Sequence, residues 1–439
     1  MSVPASLTVT YATDPAGHSS PKAPSTVDLP QAAATPGLAV VQLPDLAAYA
    51  ETYRLLREGS GGPHPSVDFA YQTPGWIESW LETLGKKSET VPLFLSLRQG
   101  DRTVLLLPLG LRRSRGAMVA QFLGQPNANQ NVGVWDRAFL SMADPQALSA
   151  EIARALRPAL KAAGVDLLHL ANTPEAFDGC PLALPGTTRL ASMNPVFRAA
   201  LDRDFDTLYR DAFSKSSRKT LQRKEKALQE AGAFRVFEAQ TSQEVTAALE
   251  VFQTQRQARA DLTGIPNAFG SEAGKAFLRR LTAQAATGVD GPEPKAQQAP
   301  LLSLWCLEAA GAVRATYLCA QHDRTLVGYT NSIAHDDLTA RSPGVVLLKE
   351  MLSQVIGAGR YATLDLGLGD ERYKHGWSTP QPLHDLFLPV TRRGQIALGA
   401  LLMVSRTKTF IRSTPLLWAL VRKARNWKAR HAAPAASQD

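Results

Sequence analysis

The sequence predicts an α/β (α+β) fold built from two domains, each a mixed, mainly antiparallel sheet flanked by helices. With 439 residues, the chain exceeds what one compact core usually holds, so two domains of roughly 150 to 200 residues are expected. Short apolar runs joined by turns, typical of antiparallel strands, alternate with longer stretches of helical period. The order of elements in the first half is loosely repeated in the second half.

Composition narrows the class of protein. Apolar residues make up 44% and charged residues 20% of the chain, which is typical of a folded protein and excludes a disordered polyelectrolyte. Cys180, Cys306 and Cys319 are far apart and form no C-x-x-C pair, so we expect a reducing compartment and no metal site. Neither a secretory signal nor a membrane-spanning run is predicted. The net charge of +9 favours an anionic partner.

Local signals place the elements of the first half. Thr73 is a favourable N-cap and Pro74 fits the first helical position, so a helix begins there. Gly100-Asp101 separates two apolar runs and predicts a hairpin turn. In chain order we expect a strand and helix in 40–56, a helix from 74, strands 91–97 and 103–109, a short strand near 121–124, a helix 145–163 and a strand 166–170.

The second half repeats this plan with more helix before its strands. Turns at 309–311 and 322–323 divide three apolar runs into an antiparallel meander. In chain order we expect helices 205–231, 242–260 and 271–286, strands 301–308, 312–320 and 325–333, a helix 345–358, a strand 361–366 and basic amphipathic helices in 396–430.

The start of the helix predicted at 345–358 is a candidate phosphate site. A helix N-terminus exposes unpaired backbone N–H groups and the positive end of the helix dipole. Ser342 can cap the helix, Pro343 suits its first position, and Gly344 removes a side chain that would keep a phosphate away. The alternative is that Ser-Pro-Gly is simply a favourable helix start.

Two motifs around this helix resemble a known family. Arg341-Ser342-Pro343-Gly344 is followed by Asp365-Leu366-Gly367-Leu368-Gly369 and then by Tyr373-Lys374-His375-Gly376-Trp377. Together with the basic run at 213–224, they resemble CelD/BcsL-like acetyltransferases, which are GNAT proteins related to the FemABX peptidyltransferases. The resemblance implies that the coenzyme diphosphate lies on the helix N-terminus and the pantetheine arm between the flanking strands. The chain departs from the usual GNAT signature, Gln/Arg-x-x-Gly-x-Gly/Ala, because Gly344 is its only glycine there.

The resemblance implies two tandem GNAT-like domains, of which the second is catalytic. The first half lacks a Ser-Pro-Gly equivalent, so we expect a degenerate copy; its polar loop 125–131 either lines an acceptor groove or is an ordinary Asn-rich turn. The expected regions are a disordered tail (1–38), the degenerate GNAT-like domain (39–200), the catalytic GNAT domain (201–395), basic amphipathic helices (396–430) and a second disordered tail (431–439).

Candidate catalytic groups lie near these motifs. Asp365 is expected at the end of a strand. Its predicted roles are a catalytic one, as a general base or a group that positions the acceptor, and a structural one, as a cap of the Gly-rich turn. Lys374, beside Tyr373, could neutralise acceptor phosphates or the developing oxyanion, or be a solvated lysine. His335 could be a base or a solvated loop residue. The catalytic candidates are therefore Asp365, Lys374, Tyr373 and His335.

Two further residues are expected to line the acyl channel. Tyr329 and Asn331 are two apart on one strand and should face the same side. The alternative for Tyr329 is core packing with its hydroxyl satisfied by one hydrogen bond. The cofactor-binding candidates are Arg341, Ser342, Pro343, Gly344, Val345, Tyr329 and Asn331.

The resemblance implies an acyltransferase that moves an acetyl or longer acyl group from acyl-CoA to an amine or hydroxyl, in polysaccharide (cellulose included) or cell-envelope biosynthesis. The acceptor would be anionic or sugar-containing, and the basic run 215–226 either contacts it or is a solvated helix face. One alternative is a FemX-like transferase that uses aminoacyl-tRNA, the one case in which nucleic acid is a partner. Another is a basic, non-enzymatic, membrane-associated adaptor that binds the membrane through its C-terminal helices. The expected location is cytoplasmic, with peripheral contact at the inner membrane face through the C-terminal helices left open.

Overall fold

The computed structural model describes residues 37–59, 65–283 and 301–413. The strands are β1 (Leu38–Leu43), β2 (Ser66–Val67), β3 (Val91–Gln99), β4 (Arg102–Ser114), β5 (Ala117–Phe122), β6 (Val134–Asp136), β7 (Leu167–Pro174), β8 (Ala176–Phe177), β9 (Cys180–Pro181), β10 (Thr188–Ala191), β11 (Val196–Ala200), β12 (Arg235–Glu238), β13 (Leu302–Ala309), β14 (Ala312–His322), β15 (Thr325–Ile333), β16 (Thr363–Leu368), β17 (Pro380–Gln381) and β18 (Leu383–Pro389). The α-helices are α1 (Leu46–Glu58), α2 (Pro74–Trp80), α3 (Arg137–Met142), α4 (Pro145–Ala162), α5 (Phe205–Ala212), α6 (Lys215–Glu230), α7 (Ser242–Thr263), α8 (Glu272–Ala283), α9 (Pro343–Gly357) and α10 (Arg392–Ser413).

Two large sheets share one plan. The first has the strand order β1-β3-β4-β5-β7-β18-β10, with β2 and β6 attached beside it, and the second has the order β12-β13-β14-β15-β16-β11-β17. Position by position the pairings agree: all are antiparallel except β5 with β7 and β15 with β16, which are parallel. The structure therefore confirms the predicted mixed, mainly antiparallel sheets and the internal repeat.

Each sheet receives one strand from the other half of the chain. β11 lies before the second half begins, yet it pairs with β16 and β17. β18 lies near the end of the second half, yet it pairs with β7 and β10. The sheets therefore do not divide at residues 200 and 395, where the sequence placed the domain boundaries.

The two halves also share a hydrophobic core. Trp76 on α2 packs edge-on against Phe277 on α8 and against Tyr329 on β15, with ring centroids 5.5 Å and 5.0 Å apart. A separate core lies between the second sheet and α9, where Met351 and Leu352 pack with Leu366. Helix α9 therefore covers one face of the second sheet, and the first half covers part of the opposite face.

A buried polar network joins the halves at another point. Tyr53 and Arg57 on α1 donate hydrogen bonds to Asp68, at 2.6 Å and 3.0 Å. His322, at the end of β14, lies 3.4 Å from the same carboxylate, and Arg57 also donates to Asp323. Asp68, His322 and Asp323 bring possible metal ligands within 4.8 Å of one another, but the Arg57 guanidinium already pairs with both carboxylates.

Three local predictions need correction or limits. The helix expected at 205–231 is two helices, because the chain breaks at Phe213 and Ser214 begins α6 as its N-cap. The Thr73 hydroxyl does not cap α2; it donates to the carbonyl of Ala70. The C-terminal helices expected at 396–430 are described only as far as Ser413, where α10 ends.

A search of the described part of the chain finds no helix with the length and apolar character needed to cross a bilayer.

Candidate functional site

The centre of the candidate site is an opening between two parallel strands. β15 and β16 pair over three positions, from Thr325 with Thr363 to Val327 with Asp365. Beyond that point the strands part, while β15 stays paired with β14 as far as Ile333. The opening therefore begins immediately after Val327 and Asp365, and its wide end lies toward the start of α9.

The N-terminus of α9 has no side-chain cap. Ser342 adopts a left-handed conformation (φ 54°) and its side chain makes no capping hydrogen bond. The helix begins at Pro343, two residues before the predicted start. Val345 and Val346 both donate their N–H groups to the Ser342 carbonyl, at 3.0 Å and 3.2 Å. Among the described groups at this helix start, the Gly344 N–H is left without an acceptor, so the expected cluster of free amides is reduced to one.

Two cations supplement that amide. Lys224 on α6 donates a hydrogen bond of 2.7 Å from Nζ to Ser342 Oγ, so its ammonium lies at the α9 start. Arg341, the residue before Ser342, is exposed. Gly344 has a packing role as well, because a Cβ there would lie 2.9 Å from Ile333 Cγ2. The helix start thus combines a free N–H, a partly buried ammonium and an exposed guanidinium, which suits a phosphate.

A β-bulge separates Tyr329 from Asn331. Leu318 pairs with Thr330 and Cys319 with Gly328, so Tyr329 is the extra residue. Because the bulge interrupts the alternation of side chains, Tyr329 packs against Trp76 on the face covered by the first half, whereas Asn331 Nδ2 reaches the Tyr373 hydroxyl, at 3.4 Å, on the face covered by α9. The prediction that Tyr329 and Asn331 face the same side is wrong.

Asp365 lies at the narrow end of the opening but is buried, with 1% exposure. Its Oδ1 accepts the Gly367 N–H at 2.8 Å, and its Oδ2 lies 3.7 Å from Arg198 Nε on β11. Burial raises the pKa of Asp365, and the opposing effects of Arg198, the Gly367 N–H and Lys374 do not cancel that rise. The carboxylate therefore caps the Gly-rich turn, as in the second of the two predicted roles, and faces no solvent.

Lys374 is a buried lysine. Its Nζ donates to the carbonyls of Leu368 at 2.7 Å and Gly367 at 3.3 Å, and pairs with Glu371 at 2.8 Å. The alternative of a solvated lysine is therefore wrong, since the side chain is 3% exposed. Lys374 binds the carbonyls of the Gly-rich turn, and Asp365 binds the N–H of Gly367 in the same turn. Together they fix the start of the segment that carries Tyr373.

Tyr373 is the candidate with both partial exposure and a defined polar contact. Burial, with a smaller contribution from Glu371, raises the pKa of its hydroxyl to about 12, so the group is protonated at neutral pH. His335, by contrast, is exposed in the loop after β15. In the described part of the chain, no hydrogen bond or ion pair joins His335 to the other candidates.

The equivalent opening of the first sheet is occupied by the chain itself. β5 and β7 also pair over three positions and then part after Gln121 and His169. There Asn131 donates its N–H to the Asn172 carbonyl and its Nδ2 to the Ala171 carbonyl, at 3.1 Å and 3.0 Å.

The helix of the first half that corresponds to α9 is also closed at its N-terminus. Helix α4 is capped by the Asp144 carboxylate, which accepts the Ala147 N–H at 2.7 Å. A negative cap would repel a phosphate.

Sequence reasoning missed two residues of the second opening. Lys224 was part of the basic run at 215–226, which the sequence could not orient. Asn129 lies in the polar loop 125–131 of the first half, and its Nδ2 donates to the Tyr329 carbonyl of β15 at 3.3 Å. The loop thus touches both openings, with Asn131 in the first and Asn129 at the second.

Comparisons with known proteins agree with this geometry. Residues 215–375 match a family model described as an acetyltransferase (GNAT) domain. FemX shares the fold with a TM-score of 0.50 and 9% identity, over 79% of this chain and 97% of that one. A conserved protein of unknown function from Bacteroides thetaiotaomicron VPI-5482 has a TM-score of 0.49 and 10% identity, over 79% of this chain and 97% of that one. A tandem GNAT protein from the clavulanic acid biosynthesis pathway has a TM-score of 0.41 and 12% identity, over 81% of this chain and 99% of that one. No curated protein sequence matches the chain.

The described chain therefore repeats one mixed sheet plan twice, and its fold resembles that of FemX. The match to the GNAT acetyltransferase model spans α6 to the segment after β16 and includes the opening, the α9 start and Tyr373. At 9% identity, the likeness to FemX concerns the fold and not the substrate.

Proposed function

We propose that the second half transfers an acyl group from acyl-CoA to an amine or hydroxyl acceptor. The observation that carries this proposal is the N-terminus of α9 beside the opening between β15 and β16, where the Gly344 N–H is unpaired and the Lys224 ammonium lies against Ser342, the residue that follows the exposed Arg341. A coenzyme diphosphate there would gain charge-assisted hydrogen bonds. The pantetheine arm would then run into the opening, toward Val327 and Asp365.

The first half is proposed not to bind a second acyl donor. Asn131 already bonds the backbone groups that a pantetheine arm would need, and the Asp144 carboxylate occupies the helix start that a diphosphate would need. These contacts support the proposal of a degenerate first domain. One donor per chain is therefore expected.

Tyr373 is the proposed proton donor. In the transfer, the acceptor's nitrogen or oxygen attacks the thioester carbonyl, the new C–N or C–O bond forms, and the C–S bond breaks. The leaving sulfur takes a proton from the Tyr373 hydroxyl, and the proton lost by the acceptor restores the phenol, so the balance closes. A hydroxyl whose pKa is about 12 is protonated at neutral pH, so Tyr373 holds a proton that it can donate to the sulfur.

Asp365 and Lys374 are proposed as positioning residues. Both are buried, and both bind the backbone of the Gly-rich turn that precedes Tyr373. His335 has no proposed role in the transfer. The acceptor is proposed to be anionic or sugar-containing, in polysaccharide or cell-envelope biosynthesis, on the resemblance of the sequence motifs alone.

One observation favours a second candidate function. Lys215, Lys219 and Arg223 recur every four residues along α6, are exposed, and have no carboxylate within 4 Å among the described residues. Such a stripe, about 6 Å per step, suits the phosphates of a nucleic acid strand, as an aminoacyl-tRNA donor would require. The stripe faces solvent, whereas Lys224 faces the α9 start.

Calorimetric titration separates these functions. The purified chain is titrated with acetyl-CoA and, separately, with deacylated tRNA at matched ionic strength. Saturable binding of one acetyl-CoA per chain supports the proposal, and two per chain would contradict a degenerate first half. Binding of tRNA without binding of acetyl-CoA would favour the second candidate. Turnover is then measured as release of free CoA against a panel of amines, sugars and phosphosugars.

A further inference from the structure

The first half lies over the narrow end of the opening between β15 and β16. A Cβ on Gly367 would lie 2.5 Å from the Gly328 carbonyl oxygen, so the two strands are still close just beyond their last paired position. The same Cβ would lie 3.4 Å from Asn129 Nδ2, which donates to the Tyr329 carbonyl. If the diphosphate lies at the α9 start, the thioester end of the donor reaches this point last. Residues of the first half therefore face the acyl group.

Aromatic side chains form a wall at that end. The ring centroid of Tyr329 lies 5.9 Å from that of Tyr71 and 5.0 Å from that of Trp76, and Tyr71 and Trp76 are themselves 4.8 Å apart. Phe269 closes the far side of Tyr329, at 5.7 Å. Tyr71 and Trp76 are each 1% exposed. A hydrocarbon chain could lengthen only by displacing these rings.

The wall is unusually polar for a buried surface. The Tyr329 hydroxyl and the indole Nε1 of Trp76 are buried without a hydrogen-bond partner among the described residues. The Tyr71 hydroxyl is buried too, and Asn129 is the polar side chain that faces it. Folded proteins leave few such groups unpaired, because each costs free energy unless something polar meets it. A hydrocarbon would leave these polar groups unpaired, and an acyl carboxylate would be buried against a wall whose three side chains include no cation. A small group with a carbonyl, hydroxyl or amino function could pair with some of them.

We propose that the Tyr71–Trp76–Tyr329 wall restricts the donor to a small acyl group, acetyl or a short acyl that carries a hydroxyl or amino group, and excludes fatty and dicarboxylic acyl groups. This inference rests on the proposed function of the second half. It assigns the first half a role in selecting the donor, through Tyr71, Trp76 and Asn129. The donor class is thereby set by contacts between the halves and not by the GNAT domain alone.

The test compares a series of CoA thioesters by calorimetry: CoA itself, acetyl-CoA, 3-hydroxybutyryl-CoA, octanoyl-CoA and succinyl-CoA. We expect acetyl-CoA and 3-hydroxybutyryl-CoA to bind within about threefold of each other, and octanoyl-CoA and succinyl-CoA to bind at least tenfold more weakly. An open apolar channel would instead tighten binding by roughly fourfold for each added methylene. Octanoyl-CoA binding as tightly as acetyl-CoA, or more tightly, would overturn the inference.

Variants connect the result to the wall. Trp76→Ala should reduce the penalty for octanoyl-CoA relative to acetyl-CoA by at least threefold. Since that variant can also fail to fold, Tyr71→Phe provides a conservative second test. It keeps the aromatic wall and removes one buried hydroxyl, so it should lower the ratio of the octanoyl-CoA dissociation constant to the acetyl-CoA dissociation constant. Tyr209→Phe, in the aromatic group beside Trp377, is the matched control and should leave the ratio unchanged.

The outcomes separate this inference from the proposed function. If neither CoA nor any thioester binds, the proposed function fails. If CoA binds but the series shows no preference for small acyl groups, or if Tyr71→Phe shifts the ratio no more than Tyr209→Phe does, only the inference fails.

Discussion

The contact between Lys224 and Ser342 leads to the most direct test of the donor site. Lys224→Met keeps the length of the side chain and removes its charge. In the structure the ammonium lies 2.7 Å from Ser342 Oγ at the start of α9, and the side chain is partly buried. A hydrogen bond between a charged donor and a phosphate contributes about 1.5–3 kcal/mol. Partial solvent exposure favours the lower part of that range, so Lys224→Met should lose about 2 kcal/mol of binding free energy. The dissociation constant should then be roughly 30-fold larger.

The assay is calorimetric titration with desulfo-CoA, which cannot react, at two salt concentrations. We expect wild-type affinity to fall as salt rises, because phosphate binding is electrostatic, and to fall less steeply in Lys224→Met. The matched control is Lys226→Met on the same helix. Its side chain is 73% exposed and lies 3.6 Å from Glu230, so binding should change less than twofold. Equal affinities for the two variants would refute the assignment of the diphosphate to the α9 start.

Three further predictions concern the turn, the proton donor and the seam between the halves. Tyr373→Phe should lower CoA release by roughly 100-fold or more while leaving the dissociation constant of desulfo-CoA unchanged, because it removes a proton donor and not a binding contact; a parallel loss of binding would contradict that role. Gly367→Ala should lower the free energy of unfolding by about 2 kcal/mol or more, measured in urea, because φ is 69° and a Cβ would lie 2.5 Å from the Gly328 carbonyl; an unchanged midpoint would refute the close approach. Burial lowers the pKa of His322, but the Asp68 carboxylate outweighs burial and the net pKa is raised. The protonated His322 therefore stabilises the fold below its ordinary pKa of about 6.5, and this stabilisation is lost as pH rises through the pKa in the folded protein. The free energy of unfolding of the wild type should fall above about pH 6.5, and His322→Gln should weaken this dependence on pH. Parallel curves of unfolding free energy against pH for the two proteins would show that His322 is not the cause.

Several features of the second half follow from local sequence, because short-range interactions fix them. Pro343 occupies the first helical position and Gly344 allows the close approach to Ile333, so the helix start was predicted within two residues. The three strands of the meander were predicted because their turns at 309–311 and 322–323 lie between apolar runs of similar length. Local rules work here because the interacting groups are a few residues apart.

Other features could not be read from local sequence. The bulge at Tyr329 depends on how β15 aligns with β14, and an extra residue leaves no mark on the apolar pattern of β15 alone. The burial of Asp365 depends on β11, which arrives from the other half of the chain to pair with β16. A carboxylate predicted at an open strand end therefore became a buried cap.

By itself the sequence determined the class of fold, the tandem repeat and the start of the helix that we propose to receive a phosphate, because periodicity, turn residues and motif spacing act over short distances. Only the tertiary structure decided which opening remains available. It placed Asn131 in the first opening, and Lys224 and Asn129 at the second. Those contacts join residues that are 40, 118 and 200 positions apart, where chain connectivity allows many partners and the folded energy selects one. The Asp144 cap of α4, by contrast, is a contact between residues three positions apart.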